Sequence, residues 1–392
     1  MRLDMSNASQ RLRNGFSLID VMVGMVVGLL TMLAIMQSFS AFEGQKRTTT
    51  NGMEAQENGL IALHALETDI RQAGYGLTTS GALACTQINT YNNGVSAFNT
   101  AFIPIQITDG GSGSDMITSI YSTSAMGGVP ANLAAAMPTS SAVLTATTGN
   151  GVNVGDILLL ATPGSTQPCS RLAVTGTHPQ ANGVDLIHNS GTSVYNPPGG
   201  SNIFPASGYG TSPQSVVFNM GTMVQNQYQV LFPCSSLVAT NLFTTTAAPG
   251  CTNTSSITNA TPISGNIVNI QAQYGIAAPP AGTQQVYCWV NATTTGGAGC
   301  APSDGNDWTP AGLVANPANV ARIKAIRVAV VARSSLMERP NSLGNCITTT
   351  VAPVSWLGGP AIDLTADPNW QCYRYKVYET VIPLRNILWA NL

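Results

Sequence analysis

The stretch FSLIDVMVGMVVGLLTMLAIM, residues 16–36, decides the fold of this chain of 392 residues. Asp20 is the one charged side chain within it. As an α-helix with a rise of about 1.5 Å per residue, the stretch is long enough to cross a bilayer core of about 30 Å. Three arginines lie within residues 1–15, and basic residues before a span favour a cytoplasmic N-terminus. We therefore expect the remaining chain to lie on the far side of a membrane.

Two simpler interpretations of this stretch explain less of it. A secretory signal peptide would have a shorter apolar region followed by a small-residue cleavage site, whereas here Gly15 precedes the apolar run. A plain membrane anchor explains the length but not Asp20, because a carboxylate within an apolar span is costly and marks a functional site. Gly24 and Gly28 have a spacing that permits close helix contact, or are simply tolerated in a membrane helix.

Residues 14–20, NGFSLID, resemble the class III signal of type IV prepilins. The resemblance implies that prepilin peptidase cleaves between Gly15 and Phe16 and methylates the new N-terminal Phe16. Asp20 is then the fifth mature residue, a position where the family usually has glutamate. The resemblance implies that this carboxylate pairs with the N-terminal amine of a neighbouring subunit. Physical chemistry agrees, since an amine and a carboxylate buried in lipid or in a fibre each need a partner.

Residues 43–76 predict a second, amphipathic stretch of helix. Its apolar residues recur mostly at steps of three and four, which places them on one helix face: Met53, Leu60, Leu63, Leu66, Ile70 and Ala73. The cluster Gly74-Tyr75-Gly76 is a suitable helix end. His64 lies within this helix, and we expect it to be a surface or packing residue.

A second resemblance refines the family. Residues 57–75, ENGLIALHALETDIRQAGY, resemble the E-N-G…D-I-R-x-A-G-Y pattern of the PilW-type minor pilins. Further segments resemble the same family, namely residues 114–118, 267–275, 323–334 and 378–386. The resemblance covers both ends of the chain and parts of the middle, while residues 120–215 and 276–310 carry little of it.

The composition of the chain is unusually poor in charge. Charged residues make up 8% of it, against about 25% in typical soluble proteins, and the net charge of -2 gives no global attraction for nucleic acid. Residues 72–321 hold a single base, Arg171, and six acids. Their Ser, Thr, Asn and Gly content suits exposed strands and long turns. Disordered low-complexity sequence is the alternative, but apolar strand-like runs recur through the region.

The C-terminal region predicts antiparallel strands. Along residues 323–331 and 373–377, the side chains follow a two-residue period, as they do when alternate residues of a β-strand lie on opposite faces. Residues 322–392 hold eight bases and four acids. This local excess of positive charge indicates either a docking surface or the solvated face of an antiparallel sheet, and we favour the sheet face.

The eight cysteines predict disulfides rather than a metal site. The sequence contains no C-x-x-C, and its three histidines do not cluster with cysteine, so zinc and thioredoxin-like chemistry have little support. An exported location permits disulfides, and eight cysteines allow 105 pairings. We predict sequential pairing: Cys85 with Cys169, Cys234 with Cys251, Cys288 with Cys300, and Cys346 with Cys372.

Neither a metal nor a catalytic centre is expected. Two acidic loops, residues 109–115 and 304–307, have calcium-type ligands, but neither has the EF-hand spacing, and we favour turn-forming aspartates. The sequence has no nucleophile elbow, H-E-x-x-H motif or phosphate loop. His178 and His188 fit a loop and a strand end better than a general base. We therefore predict a protein that is not an enzyme and binds no cofactor.

These observations predict an α+β fold with a long N-terminal spine helix. The C-terminal half of that helix is expected to pack on an antiparallel sheet in a head with disulfide-closed loops. The expected organisation is a leader at residues 1–15, a transmembrane and fibre-core half-helix at 16–40, an amphipathic half-helix at 41–76, and a β-rich head at 77–392.

The resemblance implies a minor pilin that primes assembly of a type IV pilus and contributes to a tip complex. Implied partners are other minor pilins, the major pilin, prepilin peptidase, the inner-membrane assembly platform and, where present, a tip adhesin; nucleic acid is not expected. The implied location is the inner membrane with the head in the periplasm, then the fibre on the cell surface. The alternatives are a type II secretion minor pseudopilin and a ligand-binding tip adhesin.

Overall fold

The computed structural model describes most of the chain after residue 16. The described residues are 17–79, 82–126, 129–139, 142–149, 151–199, 202–245, 247–252, 256–279, 283–341, 343–356, 359 and 362–389. The chain divides into two compact units, of which the first ends at Met53 and the second begins at Glu54. One long helix comes first and strands dominate the rest, so the predicted α+β class is confirmed.

The helices and strands of the described residues are as follows. The helices are α1 (Leu18–Gln72), α2 (Pro310–Ala315), α3 (Pro317–Val320) and α4 (Arg385–Trp389), with 3₁₀ turns at Phe232–Cys234 and Trp370–Cys372. The strands are β1 (Thr78–Thr79), β2 (Ala82–Leu83), β3 (Gln87–Asn92), β4 (Val95–Ala101), β5 (Ile105–Thr108), β6 (Met116–Tyr121), β7 (Ala131–Asn132), β8 (Val143–Ala146), β9 (Ile157–Ala161), β10 (Cys169–Ala173), β11 (Gly176–Gln180), β12 (Gly183–Ile187), β13 (Val216–Gly221), β14 (Val224–Leu231), β15 (Ser236–Asn241), β16 (Gly250–Thr252), β17 (Ser256–Thr258), β18 (Thr261–Gly265), β19 (Ile267–Ile276), β20 (Cys288–Val290), β21 (Ile323–Arg333) and β22 (Tyr375–Pro383).

Helix α1 spans 55 residues because its sequence contains no proline. It ends where predicted: Gly74 and Gly76 have φ angles of +84° and +79°, a left-handed conformation that glycine adopts without a steric penalty. Within the first unit, the apolar side chains from Leu18 to Phe42 are largely exposed. Gly24 and Gly28 have no neighbour within 4 Å, so each leaves space for another helix to approach closely.

The second unit contains three principal sheets. Their strand orders are β4-β3-β10-β9-β13-β7, β18-β15-β14-β6-β5 and β20-β19-β21-β22. A three-stranded sheet, β11-β12-β8, and the pairs β1-β2 and β16-β17 complete the described strands. Pairing is antiparallel except between β3 and β10, where Ile88 lies opposite Cys169 in a parallel pair. The prediction of an antiparallel sheet therefore holds for the other strand pairs but not for this one.

The main core lies between the second half of α1 and two of the sheets. Leu66 and Ile70 of the helix pack with Ile117 of the five-stranded sheet and with Ile326 and Val328 of the four-stranded sheet. A further core covers each face of the six-stranded sheet, and residues of β9 alternate between the two. The continuous apolar sequence of β9 follows from this burial on both faces.

The buried face of α1 agrees only in part with the face predicted from its large apolar residues. Met53 and Leu60 are exposed, and small residues, Ala55 and Ala62, are buried instead. A Cβ atom on Gly59 would overlap the ring of Tyr378 in β22, so the helix and the sheet approach one another more closely there than larger side chains would allow. The prediction from spacing was therefore wrong for Met53 and Leu60 and correct from Leu63 onward.

The basic residues of the C-terminal region do not form a solvated sheet face. Arg322 and Lys324 are buried, and Arg327 and Arg333 are half-buried. Burial lowers the pKa of Lys324 because the charged ammonium group loses its hydration. The remaining bases, Arg339, Arg374, Lys376 and Arg385, are exposed. Our interpretation of these bases as the solvated face of a sheet was therefore wrong for the four bases from Arg322 to Arg333.

Candidate assembly site

The processing residues of the predicted prepilin signal, Gly15 and Phe16, lie outside the described residues. Asp20 lies in the first turn of α1 and is exposed. The Ser17 backbone amide donates to Asp20 Oδ2 at 3.3 Å, and the Ile19 amide donates to Ser17 Oγ at 3.3 Å. These two bonds have the form of a capping box, in which Asp20 satisfies the Ser17 amide and Ser17 satisfies the Ile19 amide. The S-x-x-D spacing in the sequence is the signal for this second role.

Asp69 is the buried carboxylate that joins α1 to the five-stranded sheet. Its oxygens accept hydrogen bonds from Tyr121 Oη at 2.8 Å, Asn226 Nδ2 at 2.8 Å and Ser119 Oγ at 3.1 Å. Burial, followed by the contact with Asp69, raises the pKa of Tyr121. Three neutral donors thus satisfy the carboxylate in place of a cation. Sequence analysis missed this role, although an acid beside the buried positions of an amphipathic helix is its signal.

Backbone contacts fix both ends of the helical segment in the second unit. Asn386 Nδ2 donates to the carbonyls of Gln72 and Ala73 at 3.1 and 3.2 Å, which occupies free acceptors at the helix C-terminus. Ser264 Oγ donates to the Asn58 carbonyl at 2.9 Å. The register of this segment against the sheets is therefore determined by directional bonds as well as by packing.

The other face of this segment is exposed and mainly polar, but it includes two large apolar side chains. Leu60 is 47% exposed and Ile61 is 45% exposed. Side chains of this kind are available to a second protein surface within an assembly. His64 lies on the same face as Leu60 and Ile61 and is exposed, as expected.

The eight cysteines form four disulfides in the structure. They join Cys85 to Cys169, Cys234 to Cys251, Cys288 to Cys300 and Cys346 to Cys372, which are the sequential pairs. The first bond closes a loop of 84 residues beside the parallel pair β3–β10. The other three have separations of 17, 12 and 26 residues and close local loops of the head.

A buried ion pair closes the segment that carries the Cys288–Cys300 disulfide. Arg322 Nη2 donates to Asp304 Oδ2, and the two side chains are 5% and 2% exposed. Arg322 Nε donates to the Ala277 carbonyl at 3.0 Å. Burial acts to raise the pKa of Asp304, but hydrogen bonds from Arg322 and from Asn306 outweigh it and lower the pKa below its usual range.

Aspartates of the two acidic loops accept hydrogen bonds from backbone amides. Asp115 Oδ1 accepts from the Gly110 amide at 2.8 Å, and Asp115 Oδ2 accepts from the Ala272 amide of β19 at 2.7 Å. Asp307 Oδ1 accepts from the Thr309 amide at 2.8 Å. These carboxylate oxygens are used by protein donors, and no cluster of three metal-ligating side chains occurs among the described residues.

Asp115 predicts a pH-dependent stability of the head. Burial raises its pKa to about 7, even though the two backbone amides favour the ionised form. Between about pH 4 and pH 7, the folded chain keeps a proton that the unfolded chain has lost, so this group's stabilising contribution decreases as the pH rises. From about pH 5 to pH 7, wild type should lose about 2–3 kcal/mol more unfolding free energy than Asp115→Asn. Urea titrations at the two pH values measure this difference, and equal losses would contradict it.

Comparison with the families of known proteins gives one match, which covers part of the chain. Residues 225–386 match the family model of type IV pilus-assembly protein W, PilW, and this range contains β19, β21 and β22. The resemblance to the PilW type is thereby confirmed over these residues. The match covers less than half of the chain: residues 225–386 are similar to type IV pilus-assembly proteins, and this similarity points to a structural protein that interacts with other pilus components.

Two further comparisons complete this finding. No curated protein matches the chain. A type IV-like pilin from Thermus thermophilus is similar in structure, with a TM-score of 0.31 and 9% sequence identity, over 85% of this chain and 96% of that one. Because this similarity is low, we assign the fold from the helices and strands of the chain itself.

The described residues contain one helix that is long and apolar enough to cross a membrane, α1. Its most apolar window of 18 residues has a mean hydropathy of 2.4 and is fully exposed. By length and composition this helix is compatible with membrane anchoring.

Proposed function

We propose that the protein is a minor pilin that primes assembly of a type IV pilus and joins other minor pilins in a complex at the fibre tip. The observation that carries the proposal is the packing of residues 54–73 on the sheet formed by β19, β21 and β22. That sheet lies within the residues that match the PilW family. The head therefore holds the helix through the part of the chain that has pilus relatives.

In this proposal, the apolar half of α1 holds the protein in the inner membrane with its head in the periplasm. Prepilin peptidase cleaves after Gly15 and methylates Phe16, and the assembly platform then transfers the subunit into the fibre. Asp20 neutralises the N-terminal amine of a neighbouring subunit, since both charges lose water on entering the fibre core. The exposed Leu60 and Ile61 support the proposal, because they offer apolar surface to an adjacent pilin.

Mass spectrometry of the N-terminal peptide, from sheared fibres and from the membrane fraction, tests the proposal. We expect N-methyl-Phe16 in the fibre fraction, and an intact Met1 terminus only in a strain without the peptidase. Asp20→Glu keeps the carboxylate and should enter fibres, whereas Asp20→Ala should be processed but remain in the membrane.

Other outcomes of these experiments would indicate a different function. Processed wild-type protein confined to the membrane would indicate a secretion pseudopilin. An intact Met1 terminus in wild type would overturn the prepilin interpretation. Normal fibre numbers with lost surface adhesion, after deletion of the gene, would indicate a tip adhesin rather than a priming subunit.

A further inference from the structure

A cavity of about 220 Å³ lies in the head, lined by residues of β3, β4, β10 and β14. Its wall is mainly apolar and includes Ile88, Val95, Met223 and Leu242. Among the described residues, Arg171 of β10 is the one cation that lines it. The cavity is remote in sequence from the prepilin signal and plays no part in the proposed assembly role.

Arg171 is buried without an acidic partner. It is 3% exposed, and no carboxylate pairs with it in the described part of the chain. Its Nη2 donates to the Tyr91 carbonyl at 3.0 Å, while Nε has no hydrogen-bond partner there. Its Cζ lies 4.6 Å from the ring centroid of Phe243 and 5.3 Å from that of Tyr195. The two aromatic rings stabilise the cation but supply no negative charge.

The guanidinium keeps its charge in this position. Burial lowers the pKa of Arg171 to about 10, which is still well above neutral pH. A buried charge without a counter-charge is costly, and an anion in the adjoining cavity would offset that cost. The surroundings of Arg171 therefore favour an anionic occupant.

Neutral polar groups line the same cavity. The Thr90 hydroxyl of β3 and the Gln225 carboxamide of β14 both line it. Neither side chain forms a hydrogen bond within the ranges that the structure describes, whereas Thr100 Oγ1, also in the lining, donates to the Ile88 carbonyl at 3.0 Å. Thr90 and Gln225 thus have donors and acceptors available for a ligand.

We propose that this cavity binds a small sugar acid through its carboxylate. Arg171 takes the carboxylate, and Thr90 and Gln225 bind the neutral hydroxyls of the ring. A single cation matches a monocarboxylate, whereas a phosphate carries up to two charges at neutral pH and would call for a second cation. The cavity is also smaller than the pockets of about 300–1,000 Å³ that hold drug-sized molecules, so the ligand is a monosaccharide rather than a polymer segment.

Titration calorimetry on the full-length chain in nonionic detergent tests the proposal with four probes. We expect saturable binding of glucuronate, weaker binding of acetate, and none of glucose, since glucose lacks the carboxylate. Inorganic phosphate should bind more weakly than glucuronate. Equal affinities for acetate and glucuronate would overturn the sugar assignment, tighter binding of phosphate would overturn the carboxylate assignment, and no saturable binding of either acid would overturn the site.

Three variants locate the binding. Arg171→Gln should abolish glucuronate binding, and Thr90→Val should weaken it about 2- to 10-fold through one lost hydrogen bond while leaving acetate binding unchanged. Thr177→Val, on the exposed strand β11, is the matched control and should bind as wild type does. If Arg171→Gln fails to fold, the glucuronate affinity of Thr90→Val tests the proposed site. Equal glucuronate affinities for Thr90→Val and Thr177→Val would contradict the proposed site.

Discussion

Replacing Arg322 by methionine should lower the unfolding free energy of the head by about 3–5 kcal/mol. The substitution keeps an apolar stem but leaves the Asp304 carboxylate buried without its cation. It also removes the Nη1 bond to Asn319 Oδ1 at 3.2 Å and the stacking on Trp308, whose ring centroid lies 5.1 Å from Arg322 Cζ. The segment between β19 and β21, which carries α2 and α3, should then lose its closing contact. Urea unfolding followed by tryptophan fluorescence measures the change.

Arg374→Met is the matched control. Arg374 Nε lies 3.1 Å from Glu338 Oε1, but the Arg374 side chain is 51% exposed. Exposed pairs contribute about 0–1 kcal/mol, so this variant should be nearly neutral. A similar loss for both arginines would contradict the argument from burial. Combining Arg322→Met with Asp304→Asn should destabilise less than the sum of the single changes, because the uncompensated charge is gone.

The pH dependence of the same variant follows from Asp304. Because its folded pKa is lowered, its contribution to stability is present above about pH 4 and is lost as the pH falls through the folded pKa. The difference between wild type and Arg322→Met should therefore shrink in acid. This dependence has the opposite sign to that of Asp115, so the two groups are separable by titration.

Much of the fold could be predicted because the decisive signals are local. The apolar run, the three- and four-residue periodicity of residues 43–76 and the Gly74-Tyr75-Gly76 cluster predict one long helix, and the structure has it at Leu18–Gln72. Sequential disulfides were predictable for a similar reason, since three of the loops are short. The parallel pair of β3 and β10 was not predictable, because it joins strands about 80 residues apart in a region without family resemblance.

The packing face of α1 and the fate of the bases depended on contacts distant in sequence. Hydrophobic periodicity gives weight to large residues such as Leu60, whereas the close approach of the Tyr378 ring leaves no room for a side chain at Gly59. Arg322 was assigned to a solvated face because its partner lies 18 residues earlier, on the far side of two short helices. Charge counts identify excess charge but not the partner that buries it.

The anchoring role of Asp69 was missed for the same reason, because its partners are distant in sequence. Substitution of Asp69 is the second change that we expect to have a large effect on stability. Asp69→Ala should lower the unfolding free energy by about 3–5 kcal/mol, since it leaves Tyr121, Asn226 and Ser119 as buried donors without an acceptor. Asp69→Asn keeps one acceptor oxygen and should cost less. Glu67→Gln is the control on the same helix: Glu67 pairs with Arg71 at the surface, and its loss should cost about 0.5 kcal/mol or less.

Hydrogen exchange shows whether the stability lost in Asp69→Ala is lost at the contact between α1 and the five-stranded sheet. Ser119 and Asn226 are directly paired across β6 and β14, so Asp69 lies over the centre of the five-stranded sheet. Asp69→Ala should speed exchange most in the last turns of α1, in β6 and in β14, and least in β9 and β10, which belong to another sheet. Uniform acceleration across the head would contradict a local anchoring role. Under the proposed function, this local loss should also reduce incorporation into pili more than Glu67→Gln does.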